Sequence, residues 1–93
     1  MKAHELLNSK DKWTQGSYSR DSEGFYCPIN SPKAVKFCAA GAIYKCYGIG
    51  GFNTMIDQLT ISLFGGRFNG NVSQWNDEND FQTVHSKLRE LDI

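Results

Sequence analysis

Apolar residues recur along this chain at helical spacing, in stretches separated by polar, glycine-bearing segments. The clearest stretch opens at Ser31-Pro32, where serine can cap free backbone N–H groups and proline loses nothing at the first helical position. From there Val35, Cys38, Ala39, Ala42, Ile43 and Cys46 form one apolar stripe, with Phe37 and Tyr44 on the opposite side. A helix over 31–47, apolar on two sides and ended by Gly48, is therefore expected at the centre of the fold. Asn53 or Thr54 then opens another helix, with Met55, Ile56, Leu59 and Leu63 inward and Gly65-Gly66 as its stop. A last helix from about Asp80 sets Phe81, Val84, Leu88 and Leu91 on one face. Ala3, Leu6 and Leu7 make a short first helix that reaches about Asn8.

Between the first helix and Ser31 the pattern changes. Asp21-Ser22-Glu23-Gly24 is good turn chemistry, and aromatic residues flank it on both sides. It predicts a short β-hairpin, which alone is marginal in water and must pack on helices. The fold expected is α+β, mainly α: a short hairpin on three or four helices around the central helix at 31–47. At 93 residues the chain, 1–93, has room for a single core.

Composition narrows the function classes more than it identifies one. Ten basic and ten acidic residues balance to zero, with no run of like charge, which argues against a nucleic-acid binder or an anionic membrane surface. Met1-Lys2-Ala3-His4-Glu5 lacks the apolar core of a signal peptide, and the apolar runs fall far short of a membrane span. The simple reading of the odd set Cys27, Cys38 and Cys46 is then reduced cytoplasmic thiols, with one disulfide left open as the alternative.

Few residues carry plausible chemistry. Cys38 and His85 are the sole nucleophile-and-base pair worth naming, with Asn76 or Asp77 to orient the imidazole. Against it, Cys38 falls within an apolar helical stripe, away from a helix N-terminus that would lower its pKa, so it reads as a core thiol. No metal is expected: Cys27, Cys38, Cys46, His4 and His85 include no C-x-x-C pair, and Cys38 and Cys46 stand about 12 Å apart by helical rise. No cofactor is expected either, because Gly48-Ile49-Gly50-Gly51-Phe52-Asn53 follows a helix, lacks the lysine of a phosphate loop, and reads as a connector. Two further groups remain. Trp13, Gln15, Arg20 and Asp21 could meet Trp75, Asn76 and Asp77 to line a polar pocket for a small anionic or planar ligand. The same residue types also serve as turns, caps and core anchors, which is the simpler reading. Tyr18, Tyr47, Phe52 and Phe68 are the candidates for an exposed aromatic patch.

Trp13-Thr14-Gln15-Gly16, Arg20-Asp21-x-x-Gly24, Cys38-Ala39-Ala40-Gly41-Ala42 and Trp75-Asn76-Asp77, taken in order, resemble a family of small uncharacterised proteins of bacteria, actinobacteria especially, and of their phages. Departures are Ser19 where alanine often precedes Arg-Asp, and Phe37 where tryptophan often precedes the cysteine. The family pattern holds no counterpart of His85, which weakens the hydrolase reading further. The resemblance implies a setting rather than a chemistry. The expected role is a non-enzymatic phage or mobile-element accessory protein in the bacterial cytoplasm, binding a bacterial protein, in particular as an inhibitor of a defence component. The alternative is a binder or sponge for a nucleotide signal, and a cysteine-dependent hydrolase comes third. A homodimer is compatible with either binding role.

Overall fold

A computed structural model describes the whole chain, Met1–Ile93. Its elements are α1 (Ala3–Leu6), a 3₁₀ turn at Lys10–Lys12, β1 (Ser19–Arg20), β2 (Lys36–Phe37), α2 (Ala39–Phe64), α3 (Val72–Glu78) and α4 (Phe81–Glu90). Four helices and one small antiparallel sheet make an α+β fold that is mainly α. Helix α2 is the axis: α1 and α3 lie against it, and α4 lies against α1.

Packing follows the predicted stripes where these are helical. Ala3 and Leu7, Ile43 and Leu59, Val84 and Leu88 are fully buried in one core, and Met55, Ile56, Leu63, Phe81 and Leu91 pack around it. Each fully buried Leu or Ile side chain contributes about 1.5–3 kcal/mol relative to exposure. Ile93 joins them: it is completely buried, and its carbonyl accepts bonds from Ala3 N at 2.6 Å and the Tyr47 hydroxyl at 2.7 Å. No helix is long and apolar enough to cross a membrane.

The central helix does not run over 31–47. It begins eight residues later than Ser31, at Ala39 with Cys38 as its N-cap. Ser31 does cap locally, its Oγ accepting Lys33 N at 3.1 Å, but the turn closes with Ala34 and goes no further. The reason is a competing set of acceptors. Val35 N donates to Arg20 O at 3.0 Å and Cys38 N to Tyr18 O at 3.3 Å, bonds that a helical 35–38 would have to abandon. Val35 is consequently 43% exposed instead of inward. The predicted hairpin is corrected for the same reason. Its Asp21–Gly24 turn forms and carries one bridge, Arg20 to Tyr26, but the sheet itself pairs Ser19 with Phe37 and Arg20 with Lys36.

At the far end of the predicted helix, Gly48 takes φ 67° and ψ −176°, breaking α2 into two helical halves without ending it. Ile49 to Asn53 therefore form the first turns of the second half rather than a connector. A side chain at Gly48 would meet nothing within 4 Å, so the need for glycine there is conformational.

Helix α4 begins as expected, with the Asp80 carboxylate accepting Thr83 N at 2.8 Å. The Thr83 side chain first, and this backbone N–H second, hold the Asp80 carboxyl below its ordinary value of 3.8. A carboxyl with a depressed folded-state pKa stabilises the fold at pH values above 3.8, and that stabilisation is lost as pH falls below it. Asp80→Asn should keep the cap but remove this acid-dependent loss. Denaturant midpoints measured from neutral to acid pH should therefore fall less steeply in the variant, and parallel curves would refute the assignment.

Candidate functional site

The predicted polar residues do converge, and they converge on each other. Asn76 is fully buried in α3, four positions after the buried Val72 and so on the same inward face. Its Oδ1 accepts Trp13 Nε1–H at 2.8 Å and Ala39 N–H at 3.0 Å. Its Nδ2 donates to Thr14 O at 3.0 Å and to Asp77 Oδ1 at 3.2 Å. An asparagine side chain offers two acceptor sites and two donors, so none is left for a ligand. Trp75-Asn76-Asp77 thus lies inside a helix capped by Asn71, not in a turn before α4.

The segment after Trp13 is tied to the same helix. Gln15 Nε2 donates among the carbonyls of Asn76, Asp77 and Asn79 at 2.9–3.2 Å, capping the C-terminal end of α3. Gly16 N donates to Asp77 Oδ1 at 2.9 Å. Arg20 donates to Thr14 Oγ1, Gly24 O and Gln15 O at 3.0–3.1 Å, and forms no ion pair with Asp21. The Asp21 carboxylate instead accepts the backbone N–H groups of Glu23 and Phe25, which shapes the turn. Trp75 packs half-buried against the core.

Cys38 and His85 serve different parts of the fold. His85 stacks on Phe81 and its Nε2 lies 3.1 Å from His4 O, at the α1–α4 contact. Cys38 caps α2, its Sγ accepting Gly41 N at 3.3 Å. The thiol therefore does sit at a helix N-terminus, contrary to the stripe reading. Burial nevertheless pushes its pKa up, and the bonds from the Gly41 and Ala40 N–H groups offset this only partly. A protonated, buried thiol is a poor nucleophile. Iodoacetamide at neutral pH should modify Cys38 roughly tenfold or more slowly in the native protein than in the unfolded chain. Equal rates, read by mass spectrometry of the digested protein, would contradict the burial assigned here. No group of three or more His, Cys, Asp or Glu side chains is placed to hold a metal.

The open surface lies beside this hub. A cleft of about 430 Å³ is lined by Tyr18, Tyr26, Pro28, Ile29, Tyr44 and Phe52, with Gly41 and Ala40 at its floor. A second cleft of about 420 Å³ shares Tyr18 and Tyr26 and continues to Ser17, Ser73, Cys38 and Asp77. Tyr18 and Tyr26 are 57% and 68% exposed. Of the four aromatics expected to form one patch, Tyr18 and Phe52 share this cleft. Tyr47 is half-buried with its hydroxyl on Ile93 O, and Phe68 stands out at 85% exposure beneath the Arg67 guanidinium. Tyr26 and Tyr44 were missed. Tyr44 belongs to the second apolar side of the central helix and Tyr26 to the aromatic flank of the turn. The Arg20–Tyr26 bridge and the close approach of Gly41 to the Tyr18 carbonyl bring the two segments together.

The model of a family of unknown function (DUF6197) matches residues 1–91. No curated protein and no solved structure matches the chain.

Proposed function

The chain belongs to this family of unknown function, and from that premise we propose that it acts by binding a protein partner through the aromatic cleft, without catalysis. The observation that carries the reading is a contrast. Trp13, Gln15, Arg20, Asn76 and Cys38 hold one another and the backbone. Meanwhile two largely exposed tyrosines, with Tyr44 and Phe52 behind them, border concave surface. Aromatic side chains around a concave, partly apolar surface are the usual anchors of protein recognition.

The setting is proposed on the motif resemblance: an accessory protein of a phage or mobile element, in the bacterial cytoplasm, that inhibits a component of host defence. The polar segments behind that resemblance are occupied internally, so a nucleotide signal would find no free donor on Asn76.

The test is biological. The protein is expressed in bacterial strains that each carry one defence system, and phage plating is compared with and without it. A rise in plating on at least one strain, lost in a folded Tyr18→Ala/Tyr26→Ala double variant, supports the proposal. No rise on any strain refutes the defence role. A rise that the double variant retains refutes the cleft as the binding surface.

A further inference from the structure

The cleft also carries a specific ligand chemistry. Across both of its halves, Asp77 is the one lining residue with a formal charge at neutral pH. The nearby Arg20 guanidinium lies against Gly16 and is taken up by Thr14 Oγ1, Gly24 O and Gln15 O. The Asp77 carboxylate is half engaged: Oδ1 accepts Gly16 N and Asn76 Nδ2, while Oδ2 has no partner within the chain. Tyr18 and Tyr26 border the same cleft as that carboxylate. A negative charge beside aromatic rings is the arrangement that attracts a cation, through charge pairing and through the negative faces of the rings. We propose that this half of the cleft receives an arginine side chain of the partner protein, its guanidinium packed among Tyr18 and Tyr26 and donating to Asp77 Oδ2.

Arginine fits better than lysine because the planar guanidinium is more weakly hydrated and stacks on rings, whereas an ammonium is compact and strongly hydrated. The raised pKa of the buried Cys38 thiol keeps it neutral on the cleft wall, so it adds no second charge. The inference rests on the cleft being the binding surface, and its own test is independent of any phage phenotype.

The probe is N-acetyl-arginine amide, titrated into the isotope-labelled protein and followed by amide chemical shifts. N-acetyl-citrulline amide serves as the neutral isostere and N-acetyl-lysine amide as the second cation. Saturable shifts are expected at residues 16–18, 26, 73 and 77, with a Kd on the order of millimolar for so small a ligand. Citrulline amide should bind at least about fivefold more weakly, and lysine amide more weakly than arginine amide. Asp77→Asn keeps an oxygen for Gly16 N while removing the charge, and should lose the same factor. Tyr26→Leu, at a 68% exposed position, should also weaken binding and provides the readout if Asp77→Asn perturbs the fold.

Equal binding of arginine and citrulline amides, or undiminished affinity in Asp77→Asn, would overturn the inference while leaving the cleft as a binding surface. Absence of any saturable shift would overturn it too. Tighter binding of lysine amide would overturn the choice of arginine.

Discussion

Asn76→Ala should destabilise the protein by about 3–5 kcal/mol, because it strands the Trp13 indole N–H, the Ala39 N–H and the Thr14 carbonyl together. A domain of 93 residues has roughly 5–14 kcal/mol of total stability, so a substantial part of the margin goes with one side chain. Asn76→Asp separates the possible causes. It preserves volume and the acceptor for Trp13 and Ala39, but replaces the donor to Thr14 O and to Asp77 Oδ1 with a second acceptor. A buried carboxylate facing another carboxylate and a carbonyl is unfavourable on charge grounds. Urea denaturation should therefore find both variants crippled. If Asn76→Asp matched the wild type, the hydrogen-bond account of this site would be wrong.

Gly41→Ala should be nearly as damaging, for a steric reason. A Cβ at Gly41 would lie 2.0 Å from the Tyr18 carbonyl oxygen and 3.0 Å from its carbon, both backbone atoms that no side-chain rotation can clear. Alanine gains up to about 1 kcal/mol in helix propensity over glycine, so the clash must cost about that much more than the net loss observed. We expect a net loss of about 2–4 kcal/mol, within the range for overpacking at a rigid contact. Gly50→Ala is the matched control in the same helix. A Cβ there meets nothing within 4 Å, so thermal unfolding should shift slightly upward. A stable Gly41→Ala protein would mean that β1 can lift from α2 at little cost.

These two residues also explain what could be read from the sequence. Caps and stripes are local, so α4 with its Asp80 cap, the stop at Gly65 and the inward faces of Leu59, Val84 and Leu88 follow from neighbours a few residues away. The start of α2 does not. Ser31-Pro32 offers sound helix-opening chemistry, and it is overruled by the carbonyls of Arg20 and Tyr18, which lie 15 and 20 residues before the Val35 and Cys38 N–H groups they accept. Asn76 was legible as a polar residue worth naming, but not as the centre of the fold, because its partners at Trp13 and Ala39 are 63 and 37 residues away. One local signal existed. Asn76 follows Val72 by one helical turn, which places an amide where an apolar side chain would ordinarily go. The aromatic cleft had no such signal, since Tyr18, Tyr26 and Tyr44 come from separate segments.

The separation of 63 residues between Trp13 and Asn76 also sets an order of events during synthesis. As the chain leaves the ribosome, the segment around Trp13 can bridge to Phe37 once β2 is made, but the Trp13 indole N–H lacks its native acceptor until α3 follows. Pairing of β1 with β2 can form before then, but the indole and the Gln15 amide stay solvated or find other partners. The nascent protein must therefore carry its exposed aromatic residues, without a closed fold beneath them, until the segment bearing Asn76 has been made.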